Sequence, residues 1–234
     1  MLLFVFYLNT LLAAFFLTES LCYAACSEPK RDVWWLRVLA LLVNGGLAYL
    51  LCLQWHAWQI IPVVVVLHAA VEWIPTPLWR SFAIKQGTRL VLIAAAAFWL
   101  AESLVFRLTP AHELYVKALL LFNGGSLAII ATGALVGKLT EQLALENQLT
   151  WRGLDNGGLW IGRLERLLIF MFVMLGMPSG IGFLVAAKSI LRFSNTRDDQ
   201  KMAEYVLIGT LTSFSLAILF AYLAKTGLSY INTL

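Results

Sequence analysis

The fold class this sequence predicts is all-α: a polytopic integral membrane protein of about seven transmembrane helices, one of them broken near Gly176–Gly180. Three observations predict it. Of the 234 residues, 61% are apolar and only 13% charged, whereas soluble domains carry roughly a quarter charged residues. Mean hydropathy is +0.81. Several runs approach or exceed the roughly 20 apolar residues that cross about 30 Å of hydrocarbon. No polar stretch is long enough for a separate soluble domain, so recognition or chemistry must sit in the spans or short loops. The net charge of +4 suits membrane-proximal loops. Its basic residues are scattered among acids rather than gathered into a stripe, which argues against a nucleic-acid partner.

Taken in order, the first span covers about Leu2–Leu17 and is uncharged until Glu19. With no basic residue before it and no convincing cleavage site after it, it reads as a retained helix rather than a signal peptide. Trp34 and Trp35 mark an interface, where an amphipathic indole is stable. Span two is about Leu36–Leu53, with Trp55 and Trp58 at the opposite interface. Span three begins near Pro62, in a first turn where the missing N–H costs nothing, and ends at Trp73–Pro77. Trp79, Arg80 and Lys85 are assigned to the next interface and span four to about Thr88–Phe106. Thr109-Pro110 with Glu113 is a helix-start signal for span five, about Glu113–Val136. Lys138–Trp151 is the most polar segment; it suits a short interfacial helix or a solvated connector.

Asn156-Gly157-Gly158 then opens the stretch Asn156–Phe193, with Asn156 as N-cap. If wholly helical, Arg163 to Arg192 would rise about 44 Å, more than the hydrocarbon core. Gly176, Pro178 and Gly180 are the expected break, because an interior proline removes a backbone hydrogen bond and clashes with the preceding turn. A kink and a re-entrant turn both satisfy this pattern. The last span is about Met202–Ala224, closed by Lys225 and Tyr230. The expected organisation is a helical membrane domain over 1–137, a polar interfacial connector over 138–157 and a C-terminal membrane segment over 158–234. A loop count of about eleven Lys/Arg against about six places the C-terminus in the cytoplasm.

The triplet Asn-Gly-Gly occurs at Asn44, Asn123 and Asn156. Small residues inside spans let helices approach closely, and an asparagine there seeks a hydrogen bond across the interface. The three cysteines, Cys22, Cys26 and Cys52, form neither a zinc pattern nor a disulfide framework and read as free thiols.

Ionisable residues inside spans are functional candidates, because burying charge in hydrocarbon is costly. His68 and Glu72 stand four apart, on one helix face. They suit a shared metal ion or proton, or a mutually hydrogen-bonded pair. Arg163 and Arg166, with Glu165 beside them, suit a cationic patch for a lipid phosphate or a partner's carboxylate, or an interfacial anchor with an internal Arg–Glu pair. Lys188 and Arg192 form a second cationic pair, most simply an anchor on the positive side. Lys201 and Glu204 suit a local ion pair, and Pro178 marks the break.

The segments IGRLERLLIFMFVMLG, IGFLVAAKSILRF and KMAEYVLIGTLTSF, within Ile161–Phe214, resemble the C-terminal part of an uncharacterised bacterial multi-pass membrane family, a domain of unknown function. The N-terminal half resembles a diverged copy of that family's membrane domain, whose successive spans carry His and Asp pairs. Here His68-Ala-Ala-Val-Glu72 matches one such pair with Glu for Asp, and Lys85-Gln86-Gly-Thr-Arg89 keeps only Gln86 of another. Asn9 and Asn44 stand on the first two spans. The resemblance implies the membrane fold and a bacterial inner-membrane location. If the family's residues bind metal, this chain has lost most of the ligands.

The expected function is therefore non-catalytic: a pore, gate or transport component, or a subunit of a membrane complex, in contact with the bilayer and with a second copy or another membrane protein. No cofactor is expected. The alternative is a membrane-embedded, metal-dependent hydrolase acting on a lipid-like substrate through His68 and Glu72.

Overall fold

The computed structural model describes residues 1–25, 34–54, 57–72, 79–104, 109–148, 157–193 and 200–233. Among them it is all-helical. The helices are α1 (Leu2–Ala25), α2 (Trp34–Leu51), α3 (Ile60–Glu72), α4 (Trp79–Ser103), α5 (Pro110–Ser126), a π-helical turn Leu127–Ala131, α6 (Thr132–Glu146), α7 (Gly157–Met174), α8 (Pro178–Phe193) and α9 (Gln200–Ile231). Four segments are long and apolar enough to cross a membrane: Leu2–Glu19, Arg80–Ser103, Pro110–Glu146 and Lys201–Ile231. Val38–Leu51 and Ile60–Val71 are apolar but shorter. Trp55, His56, Pro75, Pro77, Arg107, Asn156 and residues 194–199 lie outside the described residues, as do the side chains of Cys22, Trp34 and Trp35.

Several expected boundaries move. Helix α4 begins at Trp79, so Arg80 and Lys85 are helical rather than in an interface before the span. The segment from Lys138, expected as a short interfacial helix or a connector, continues the preceding helix through Glu146. Its Leu, Glu, Gln and Ala residues are good helix formers. Lys138–Glu141 at 3.0 Å and Gln142–Glu146 at 2.6 Å add side-chain support one turn apart. Helix α9 runs past Ala224 to Ile231, which places Lys225 and Tyr230 inside it.

The chain divides into two compact units, Met1–Asn123 and Gly124–Leu234, rather than at residue 137. In the first, α1 packs on α2 and α4, and α3 on α2 and α4. Helix α1 is apolar all round its circumference, and such a helix belongs inside a bundle. Phe6, Tyr7, Leu11, Ala13, Ala14, Phe15 and Phe16 are all buried. Its few polar groups are satisfied locally, Asn9 Nδ2 on the Val5 carbonyl, Thr10 on Tyr7 and Thr18 on Ala14, each at 2.8 Å. The Tyr7 hydroxyl donates to the Leu104 carbonyl at 3.1 Å, and that of Tyr115 on α5 to the Leu51 carbonyl at 2.7 Å.

The Asn-Gly-Gly triplets act as helix contacts. Asn123 Nδ2 donates to the Asn9 carbonyl at 2.9 Å and its Oδ1 at 3.0 Å. In the α2 triplet, a Cβ on Gly45 would meet Val65 at 3.0 Å, while Gly46 faces open space. The first glycine is the contact residue.

In the second unit α9 is the common wall, packed on α6, α7 and the π-helical turn. Close pairs set its direction. Gly209 lies against Thr140, and Gly124 against Ala224, so α9 runs opposite to the α6 segment. Arg166 meets Ser213 and Val173 meets Lys225, so α7 runs parallel to α9. Ile169, Phe214 and Ala217 form a core, against which Ile181, Leu184 and Ile218 pack.

The long interrupted helix expected over Asn156–Phe193 is two helices folded back on each other. Lys188 Nζ lies 2.5 Å from Glu165 Oε2, whereas 23 residues of unbroken helix would hold them about 34 Å apart. The break is made by Gly176, whose φ of +71° is the left-handed geometry that ends a helix and that glycine adopts without steric cost. Pro178 is the first residue of α8 rather than an interior breaker, a position where proline is preorganised for helix. A Cβ on Gly180 would lie 2.7 Å from the Phe172 ring, so its hydrogen lets the two helices close behind the turn.

Candidate functional site

The α7 charges lie in the second unit, and the fold sorts them into different environments. Arg166 is 5% exposed. Its Nε donates to the Ile129 carbonyl at 3.0 Å and its Nη1 to Ser213 Oγ at 3.1 Å. Two glycines make the slot: a Cβ on Gly133 would stand 2.5 Å from Nη2, and one on Gly162 3.0 Å from Nη1. The Ile129 carbonyl belongs to the π-helical turn, where Thr132 N–H bonds back five residues to Leu127. A π-turn displaces carbonyls from the ordinary ladder, and the guanidinium takes up one of them. Among the described residues no carboxylate pairs with Arg166.

Glu165, 8% exposed, does not pair with its arginine neighbours. Adjacent helical residues point in different directions, and its carboxylate instead meets Lys188 from α8. That corrects both the internal Arg–Glu pair and the placing of Lys188 at the remote end of a long run. Lys188 Nζ also lies 5.2 Å from the centre of the Phe214 ring, within cation–π range. Arg163 is turned outward over Trp160, at 5.4 Å from the ring centre. Lys225 Nζ donates to the Val173 carbonyl at 2.8 Å, satisfying one of the last carbonyls of α7. Glu204 is exposed in the first turns of α9. Arg192 belongs to α8, but its side chain lies outside the described residues.

Depth follows from the helix rise. Ser213 stands midway between Lys201 and Lys225, about 18 Å along α9 from each. The Arg166 guanidinium bonded to it is therefore at the middle of an apolar span.

In the first unit His68 contacts α2. Asn44 Nδ2 lies 3.2 Å from its Nδ1 and 3.4 Å from its Nε2, and the Phe15 ring is 5.3 Å from the imidazole centre. Glu72 ends α3, with its side chain outside the described residues. No group of three His, Cys, Asp or Glu side chains with metal-binding spacing occurs among the described residues. Arg89 from α4, 7% exposed, pairs with Glu19 at 2.9 Å, and its guanidinium lies over the Phe15 ring, 5.5 Å from the centre.

Sequence reasoning missed Ser213, Ile129, Gly133 and the Arg89–Glu19 pair. One local signal existed for the first group: Gly162 stands one turn before Arg166, which leaves room for a guanidinium to lie along α7. Compared with known proteins, the chain matches no family model, no curated protein and no solved structure.

Proposed function

We propose that this is a non-catalytic integral membrane protein that works as a transport or gating component, with the α7–α8 hairpin as its movable part. The observation that carries the reading is Arg166: a buried guanidinium at mid-span, bonded to a carbonyl and a hydroxyl rather than a carboxylate. A cation at that depth costs at least about 2.5–3.5 kcal/mol, so it marks a pathway or a binding site more often than a scaffold. The Glu165–Lys188 contact closes α8 onto α7 beside it and serves as the latch.

The test is ion flux in sealed proteoliposomes. The protein should conduct with a preference for anions, set by the fixed positive charge. Arg166→Gln should lower anion flux about tenfold, which corresponds to about 1.4 kcal/mol of lost charge stabilisation. Vesicles that stay ion-tight with folded protein present would overturn the reading.

The hairpin also supports a topology for the second unit. Because α7 and α8 run antiparallel, the chain returns to the membrane face it left after Glu146, and only α9 then crosses. Lys138, Arg192 and Lys201 belong to that face and Lys225 to the other, which makes the hairpin base cytoplasmic. The C-terminus is then on the far side, opposite to the expectation from seven single crossings. Single cysteines placed at Gln148 and Lys201 in a cysteine-free background should react with an impermeant maleimide only from the cytoplasmic side, and one at Thr233 only from the outside. Labelling of 201 and 233 from the same side would exclude this arrangement.

A further inference from the structure

Arg166 and Ser213 hold more hydrogen-bond donors than the groups around them accept. A guanidinium carries five N–H donors and no acceptor. Two are used, Nε on the Ile129 carbonyl and Nη1 on Ser213 Oγ. Among the described residues Nη2 donates to no group, and it is not fully enclosed, so one edge of the guanidinium stays within reach of a ligand. The serine oxygen accepts from Nη1, and among the same residues its own O–H has no acceptor. Thr132, the buried hydroxyl beside the π-helical turn, is already bonded to the Leu127 carbonyl at 3.0 Å. Unmatched donors on two side chains as buried as these are costly. Charge is out of balance in the same sense. Glu165, next to Arg166 in the chain, is matched by Lys188, and among the described residues the guanidinium keeps its positive charge without a counter-ion.

We propose that the Arg166 Nη2 edge and the Ser213 hydroxyl bind one small monovalent inorganic anion of the chloride class. Such an ion accepts several hydrogen bonds and needs no acceptor in return, and bonds to a charged donor are the strong ones. Ser213 Oγ lies 3.1 Å from Nη1, so its rotatable O–H and the Nη2 edge converge on one ion. Water fits less well, because its two hydrogens would need acceptors of their own. A divalent anion would leave a net negative charge in hydrocarbon. A lipid phosphate is held at the interface, about half of the ~30 Å core away. Gly133 and Gly162 admit the guanidinium plane between α6 and α7 and thereby preset the edge it presents. Ser213 is the specificity-determining residue, since it adds the one neutral donor. The inference rests on the transport reading for its purpose and names the ion, but the binding itself does not require flux.

The test is chlorine-35 NMR on the full chain in detergent, titrated with sodium chloride while sodium gluconate, whose anion is too large for the slot, holds the ionic strength constant. Immobilised chloride relaxes fast, so the wild type should broaden the signal saturably, and bromide should reverse the broadening. Arg166→Gln should abolish the saturable part. Ser213→Ala should weaken binding about fivefold, as expected for the loss of one hydrogen bond. Arg163→Gln, which removes the outward-facing cation, should leave binding unchanged. Absence of saturable broadening in the folded wild type overturns the proposal, whether or not the variants fold. Broadening that persists in folded Arg166→Gln, or that is lost equally in Arg163→Gln, overturns it too. Flux separates the two readings: vesicles that conduct without saturable chloride binding remove the site and leave transport standing, whereas ion-tight vesicles with saturable binding support the site and remove transport.

Discussion

Replacing Glu165 by leucine is expected to lower the unfolding free energy by about 3 kcal/mol, measured by denaturant titration in detergent. The carboxylate is 11% exposed and the Lys188 side chain 18%. Removing one partner leaves the other charge desolvated, and breaking a buried pair in this way costs about 3–5 kcal/mol. The lower end applies here, because Lys188 keeps the Phe214 ring and some access to solvent. Removing both charges, in Glu165→Leu/Lys188→Leu, should restore most of the loss, since an apolar pair avoids the desolvation penalty. The pattern separates a latch from a surface ion pair. An exposed pair is worth about 0–1 kcal/mol and would leave the single variant near wild type. If Glu165→Leu is that mild, the α7–α8 hairpin is not held by this contact. A weakened hairpin should also change flux in proteoliposomes, because the latch closes beside Arg166.

The second large effect is expected at Gly124. An alanine there would place its Cβ on top of the Ala224 Cβ. Both atoms are fixed to helix backbones, so neither can rotate away and α9 must shift. Overpacking of this kind costs about 1–3 kcal/mol. The control is Gly46→Ala in the other triplet, where the added methyl meets open space. That change should stabilise by about 0.5–1 kcal/mol, the ordinary gain of replacing a helical glycine. Thermal unfolding of the two variants side by side reads the difference. Equal shifts of the same sign would mean that the close approach of α9 at Gly124 does not constrain the fold.

The glycine comparison also shows how far local sequence reaches. The triplets announce close helix contacts inside spans, because only a residue without a side chain admits a neighbouring backbone. Which glycine makes the contact depends on the rotation of each helix about its axis. Composition shows that helices exist and are apolar, but rotation and register follow from packing. The same limit explains Lys138–Glu146. Its polarity left a separate interfacial helix and a connector both open, yet polarity does not interrupt a helix built from strong helix formers with paired side chains a turn apart.

The charged residues divide along the same line. The sequence by itself determined that this chain is made of apolar helices and that Arg163, Glu165, Arg166 and Lys188 are among its few ionisable candidates, since composition is a property of the residues themselves. It also located the break to Gly176–Gly180, attributing it to Pro178, whereas the structure makes it at the left-handed Gly176. Only the tertiary structure decided that the break reverses the chain and brings Lys188 to Glu165. It likewise turned Arg163 outward and Arg166 into a glycine slot against Ile129 and Ser213. Those assignments depend on groups far apart in the chain, and an ion pair or a buried guanidinium is fixed by what packs against it rather than by its neighbours in sequence.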